Sequence, residues 1–317
     1  MAKALLVTDT FLERHGAELD AVAPDTPRTV VGPNGLEQGH EHVRVAFFSG
    51  DCFESGRARE FMIAALKSTN LEWLHSASAG VDHEVFHRFL ERGARLTTSS
   101  GAHAVPIAQT VLLYLLALSR DLSGWLTAQR AHRWEPRAIH DLQGDRVAVV
   151  GLGPIGLEIA RLAGALHMDV VGLRRRPRGD EPCPTLTLDR LPEVLPTVDW
   201  LVLALPLTLE TRHMLDAEAI ALLPPQARVI NIGRGALIDE AALVDALRAG
   251  RLAGAGLDVF EVEPLPSESP LWDLPNVILT PHSSGTNPGN DERAAAIFFE
   301  NLRRFRAGEP LLNEVVA

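Results

Sequence analysis

The chain has 317 residues, enough for two α/β domains with cores of their own. At 46% hydrophobic and 22% charged it has the composition of a soluble globular protein. Its formal net charge of −11 excludes a general nucleic-acid or anionic-membrane binder, since both need a basic surface. Two cysteines, Cys52 and Cys183, stand far apart with no metal-type spacing, so neither a disulfide framework nor a metal site is expected and a cytoplasmic location is. The start, MAKALLVTDTFLERHG, lacks the pattern of a signal peptide, and the most apolar stretch, 111–118, is too short to span a bilayer.

Short apolar runs alternate with helical patterns, which predicts βαβ units and parallel sheets. The first strands are predicted at 4–8, 43–48, 73–76 and 95–98. The run "AVPIAQTVLLYLLALS" (104–119) is apolar on nearly every side and reads as a helix buried between packed units. A polar stretch with Trp125 and Trp134 follows. Then "DRVAVVGLGPIG" starts a new series, with strands predicted at 147–150, 170–173, 200–204, 229–232, 256–259 and 277–280. A last helix, 292–306, has no following strand and is expected to return to the first domain. The expected architecture is a Rossmann-type doubly wound parallel sheet inserted into a smaller flavodoxin-like α/β domain. Residues 1–101 plus 285–317 would form the substrate domain and 102–284 the dinucleotide-binding domain.

"VAVVGLGPIG" places Gly151, Gly153 and Gly156 in G-x-G-x-x-G spacing between a strand and a helix. The first glycine permits the turn, the second lets the backbone approach a pyrophosphate, and the third lets helix and strand pack closely. Ile155, Ile159, Leu162 and Leu166 repeat at helical spacing behind it. A second strand ends at the expected distance, about 20 residues on.

Ligands in open α/β sheets lie at the carboxyl ends of strands. At those ends stand Arg234 between two glycines, Asp258 and Glu263 in "DVFEVEPLP", and His282 in "TPHSSG". Each has a structural alternative: a loop-bonding arginine, a Glu-Pro turn, a hydrogen-bonded histidine. Together they supply what hydride transfer to a keto acid needs. A guanidinium fixes a carboxylate, an imidazolium protonates the developing alkoxide, and a carboxylate holds the imidazole.

Three stretches, "VAVVGLGPIG", "VINIGRGALIDEAALVDALRAGRLAGAGLDVFEVEPLP" and "NVILTPHSSG", resemble the D-2-hydroxyacid dehydrogenase family, in its glyoxylate/hydroxypyruvate reductase-like branch. The likeness covers about residues 101–285, and more weakly "SASAGVDH" (76–83), which resembles the family's substrate-carboxylate loop. The resemblance implies that Arg234 binds substrate, that His282 is the acid/base, and that Glu263 is its partner. It also implies that Asp258 contacts the nicotinamide carboxamide and that the amides of Ala79 and Gly80 grip the substrate carboxylate. Pro154, Ile155, Leu205, Pro206, Thr211, Ile232, Gly233 and His282 would line the cofactor. The family's two-fold contact implies a homodimer through the helix at 104–119 and the stretch with Trp125 and Trp134. Two departures stand out. Ile107-Ala108-Gln109 replaces the common Val-Ala-Glu, and Glu263 is not the Gln of the formate dehydrogenase branch, which disfavours formate.

The second strand is expected to end at "RRRPR", Arg174 to Arg178, with no carboxylate before Asp180. The acid usual at this position bonds ribose hydroxyls and repels a 2′-phosphate, whereas planar guanidinium forks suit phosphate. Arg174 and Arg175 are therefore expected to hold the 2′-phosphate, with NADP(H) preferred and NAD(H) possible. The alternative is a solvated basic loop. The function expected is reduction of a small 2-keto acid to the D-2-hydroxy acid, with no nucleic-acid or membrane partner. A nucleotide-sensing, corepressor-like binding protein on the same fold stays open. A methyltransferase on a similar sheet leaves the three strand-end residues unexplained.

Overall fold

The computed structural model describes residues 4–36, 39–81 and 83–315. Twelve strands are seen among them: β1 (Ala4–Thr8), β2 (Arg28–Val31), β3 (Val43–Phe48), β4 (Trp73–Ser76), β5 (Arg95–Thr98), β6 (Arg146–Val150), β7 (Asp169–Arg174), β8 (Thr185–Thr187), β9 (Trp200–Leu203), β10 (Arg228–Asn231), β11 (Gly254–Leu257) and β12 (Val277–Leu279). The chain divides into two compact units, Met1–His103 with Asn287–Ala317, and Ala104–Thr286.

In the first unit five parallel strands lie in the order β2-β1-β3-β4-β5, the flavodoxin-like arrangement. Successive strand residues point to opposite faces, and both faces here are packed. Val45 and Phe47 of β3 enter one apolar cluster, while Ala46 and Phe48 enter the other. The last helix, Asn290–Ala307, covers the first of these faces. Its Phe298 ring stacks on Phe47 at 4.3 Å between centroids, and Trp73 and Phe11 close around it.

In the second unit seven parallel strands lie in the order β12-β11-β10-β9-β6-β7-β8. From β8 to β11 this is the doubly wound 3-2-1-4-5-6 sequence, with β12 added at the far edge. The order reverses between β6 and β9, so a crevice opens at their carboxyl ends. Val147 and Val149 of β6 pack to one side of the sheet, Ala148 and Val150 to the other. No single helix among the described residues is long and apolar enough to cross a membrane.

The structure differs from the sequence reading where the apolar signal is weak. The edge strands β2 and β8 went unpredicted because their residues are mostly half-buried. Leu122–Arg130 forms a helix although only Ala128 of it is buried. The helix Ala104–Ser119 is not buried all round: Pro106, Ala108, Val111, Tyr114 and Leu115 are packed, while Val105, Leu113 and Leu116 are exposed.

One core group carries a pH consequence. His75 on β4 is fully buried, its ring nitrogens bonded to the Thr97 and Ser99 hydroxyls at 2.6 and 3.0 Å. Burial pushes its pKa down from 6.5 to about 3. The unfolded chain therefore binds a proton that the folded unit refuses, so stability falls as pH drops from 6.5 toward 3. From this residue the slope is about 1.4 kcal/mol per pH unit. Denaturant unfolding of His75→Gln is expected to show a shallower acid decline; an unchanged slope would assign the decline to other groups.

Candidate active site

β6 ends at Val150, and the chain turns through Gly151 at φ +103°, a conformation open to glycine alone. The Gly151 amide donates to the Leu173 carbonyl at 2.8 Å, tying the turn to β7. The helix Pro154–Ala165 then begins with Gly153 as N-cap, which offers no side-chain cap, and with proline in its first turn. A side-chain carbon built on Gly153 would meet nothing within 4 Å, so open space lies over the helix N-terminus. Uncapped amides and the positive end of the helix dipole face it. That fits a pyrophosphate. Ile155 is half-buried and Gly156 is buried in the helix's first turn.

Across the crevice, the loop after β9 carries Leu205, which is buried, and Pro206, which is exposed. Thr211 closes this loop, donating to the Pro206 carbonyl at 2.9 Å and accepting from the Thr208 amide at 2.7 Å.

The arginine turn holds a residue that the sequence reading missed. β7 runs to Arg174, one residue further than predicted. Arg174 lines a hollow of about 400 Å³ with Pro154, Arg178 and Glu181, whereas Arg175 lines a separate one of about 530 Å³ with Leu188, Thr211 and Met214. The two arginines thus leave the strand toward different hollows and form no single fork. The carboxylate absent from the strand end comes back from beyond the turn. Glu181 accepts from Arg174 Nη1 at 2.8 Å, and from the amides of Arg178 and Gly179 at 2.8 Å each. Only its position in space reveals this; nothing in the spacing marks it.

At the later strand ends Ile232 and Gly233 are buried, and Gly233 donates its amide to Asn231 Oδ1 at 3.0 Å. Asn231 Nδ2 donates in turn to the Arg234 carbonyl, so one buried side chain shapes the whole "NIGR" turn. The half-buried Arg234 donates from Nη1 to the Gly233 carbonyl at 2.7 Å. Gly235 lies against the next loop: a side-chain carbon there would fall 1.8 Å from the Phe260 carbonyl carbon. That loop leads to Glu263, whose Oε1 accepts from the Phe260 amide at 3.0 Å. Its Oε2 meets His282 Nδ1 at 2.7 Å. Residues nineteen positions apart in the chain are therefore in direct contact, with the other imidazole nitrogen left for chemistry.

His282 sits at φ +49° and donates its amide to the Asp258 carbonyl at 2.8 Å. Asp258 falls just after β11 and is 1% exposed. Its carboxylate accepts from Thr280 Oγ1 and from the Ser283 and Ser284 amides at 2.5, 2.9 and 3.0 Å, and also from the Ser284 hydroxyl. These bonds hold the loop that carries His282. Behind the pair, Phe260, Leu265, Trp272, Leu279 and Pro281 line an apolar hollow of about 570 Å³. Among the described residues no group of three or more His, Cys, Asp or Glu is placed to hold a metal ion.

In the first unit, Ala79 and Gly80 follow β4. Ala79 is exposed and Gly80 half-buried, and their amides donate to no acceptor among the described residues. The Ser99 amide bonds to the Ser76 and Ser78 carbonyls and holds the start of this loop. Asp82 of the quoted stretch lies outside the described residues.

A doubly wound sheet with a glycine turn at its switch point, and a carboxylate-held imidazole at a neighbouring strand end, defines a dinucleotide-dependent oxidoreductase. Comparison with known proteins agrees. The family model described as D-isomer specific 2-hydroxyacid dehydrogenase, NAD binding domain, matches residues 112–284. A glyoxylate reductase from Thermococcus gammatolerans is 34% identical over 243 residues, which is 73% of this chain and 72% of that one. The crystal structure of a D-isomer specific 2-hydroxyacid dehydrogenase from Xanthobacter autotrophicus Py2, in complex with NADPH and MES, matches with a TM-score of 0.80 at 33% identity, covering 100% of this chain and 98% of that one. An NADPH-dependent glyoxylate/hydroxypyruvate reductase from Sinorhizobium meliloti, in complex with NADP and sulfate, matches with a TM-score of 0.78 at 27% identity, over 99% and 98%. The chain belongs to the D-isomer specific 2-hydroxyacid dehydrogenase family.

The close approach at Gly235 gives a test. Gly235→Ala must push the arginine turn away from the Phe260 backbone, which cannot yield as a side chain would. A loss in kcat/KM of about 10²-fold is expected, the scale set by an ångström of misplacement. Steady-state kinetics beside a folded circular-dichroism spectrum reads it; unimpaired kinetics would detach Gly235 from site geometry.

Proposed function

We propose that this protein reduces a small 2-keto acid of the glyoxylate or hydroxypyruvate class to the D-2-hydroxy acid, with NADPH preferred over NADH. The observation that carries the reading is the 2.7 Å contact between Glu263 and His282 at the carboxyl edge of a sheet with a glycine turn. When bound at that turn, the nicotinamide cofactor supplies the hydride. Arg234 takes the substrate carboxylate and polarises the adjacent carbonyl, as a guanidinium can. The amides of Ala79 and Gly80, which donate to no acceptor among the described residues, are assigned to substrate binding. Glu263 fixes the imidazole through Nδ1, which leaves Nε2 to deliver a proton to the developing alkoxide. Asp258 is assigned to the nicotinamide carboxamide as well as to the His282 loop. Gly151, Gly153, Pro154, Ile155 and Gly156 are assigned to the pyrophosphate, and Leu205, Pro206, Thr211, Ile232 and Gly233 to the rest of the cofactor. The basic turn from Arg174 supports the choice of NADPH, and the two relatives solved with NADPH or NADP point the same way.

Loss of NADPH absorbance across a panel of 2-keto acids, with NADH in parallel, tests this. Turnover of glyoxylate or hydroxypyruvate is expected, faster with NADPH, and the preference should shrink as salt screens the arginines. His282→Ala should lower kcat by about 10²–10⁴-fold. No turnover with any keto acid, or near-normal kcat in that variant, would overturn the assignment.

A homodimer is also proposed. Val105, Leu113 and Leu116 on the helix Ala104–Ser119, with Trp125, Leu126 and Trp134, expose apolar surface, and Trp134 is 96% exposed. Such a patch suits a like surface on a second copy. Light scattering should give twice the 34.4 kDa of the chain; a monomer at micromolar concentration would refute it.

A further inference from the structure

The arginine turn poses a question of charge. A carboxylate beside the place proposed for a phosphate should weaken binding by repulsion, yet Glu181 lies there and its side chain is only 3% exposed. A buried carboxylate is costly unless hydrogen bonds satisfy it. Here they do. Oε1 accepts from Arg174 Nη1 and from the Arg178 amide, and Oε2 accepts from the Gly179 amide, all at 2.8 Å. Gly179, at φ +86°, supplies the bend that brings those amides to one carboxylate.

Two consequences follow from these bonds. The side chain of Arg174, 17% exposed, is pinned through one nitrogen, while Nε and Nη2 have no hydrogen-bond partner among the described residues. Long arginine side chains lose rotamer freedom on binding, and pinning removes part of that cost in advance. The segment between Arg174 and Glu181 is also closed into a short loop, on which Arg175, Arg176 and Arg178 are exposed. The carboxylate faces inward and the guanidinium charges face outward.

We infer that Glu181 is a positioning residue for NADP recognition: it holds Arg174 and the 175–180 turn in the shape that receives the 2′-phosphate. The inference rests on the cofactor reading given above. The amide of Arg178, then that of Gly179, then the Arg174 guanidinium hold the Glu181 carboxyl down at about 2. Its bonds are thus present above its ordinary value of 4.5 and lost only as pH falls through about 2, so they persist throughout the neutral range.

Equilibrium binding of NADPH and NADH, by calorimetry and without turnover, tests it. Glu181→Gln keeps the shape but cannot accept from all three donors. Its dissociation constant for NADPH should rise about tenfold, the worth of one charged hydrogen bond, while that for NADH stays within about twofold. Because Glu181 acts through Arg174 as well as through the turn, the same change in an Arg174→Ala background should cost less than about threefold. Retained NADH affinity in each variant shows that the unit is folded. Equal weakening toward both cofactors, an unchanged preference, or tighter NADPH binding would overturn the inference and leave the cofactor reading standing. An unmutated protein that binds both cofactors alike would overturn the reading itself, and the inference with it.

Discussion

A charge placed inside a protein must be answered by donors, and in the second unit the carboxylate of Asp258 sets that requirement. It lies between the ends of β11 and β12 and recruits the Thr280 hydroxyl and the Ser283 and Ser284 amides. Thr280 has a single proton and spends it on Asp258, so the Tyr114 hydroxyl, 2.5 Å away, must donate to Thr280. Burial pushes the Tyr114 phenol above its already high ordinary value, so it remains a donor. A single buried anion thereby joins the helix Ala104–Ser119 to the loop that presents His282. Each hydrogen bond to a charged group contributes about 1.5–3 kcal/mol, enough to impose the positive φ on His282.

The geometry of the Glu263–His282 pair depends on this frame. Strands β10, β11 and β12 run in parallel and end at one edge, so the residues after them emerge as neighbours. Gly235 allows the Arg234 turn to touch the Phe260 backbone, and the Phe260 amide fixes one oxygen of Glu263. The other oxygen then finds His282. Every link is a backbone approach or a hydrogen bond of ordinary length.

The two carboxylates that matter most outside that pair, Asp258 and Glu181, are both buried and both bonded to backbone amides. One organises the loop that carries His282 and the other a charged turn, by the same physics. Their visibility in the sequence differs. Asp258 sits in a strand-end motif, where a search along carboxyl ends finds it. Glu181 lies beyond a proline and a glycine in a turn with no periodicity, and no spacing rule connects it to Arg174.

The amino-acid sequence by itself determined the alternation of strands and helices and the glycine turn, because apolar periodicity and G-x-G-x-x-G spacing are local properties of the chain. It also marked Arg234, Glu263 and His282, since polar residues in the loops that follow apolar runs lie near strand ends, where ligands of open α/β sheets bind. Edge strands β2 and β8 escaped it because half-exposed residues carry little apolar signal. The helix Ala104–Ser119 shows the same limit: its composition is apolar all round, but only packing decides which residues, such as Leu113, remain outside. The family likeness implied the Glu263–His282 pairing, whereas the meeting of Glu181 with Arg174 was decided by the tertiary structure alone. Glu181 reaches Arg174 through a turn closed by its own bonds to the Arg178 and Gly179 amides, and Glu263 reaches His282 because β11 and β12 end side by side.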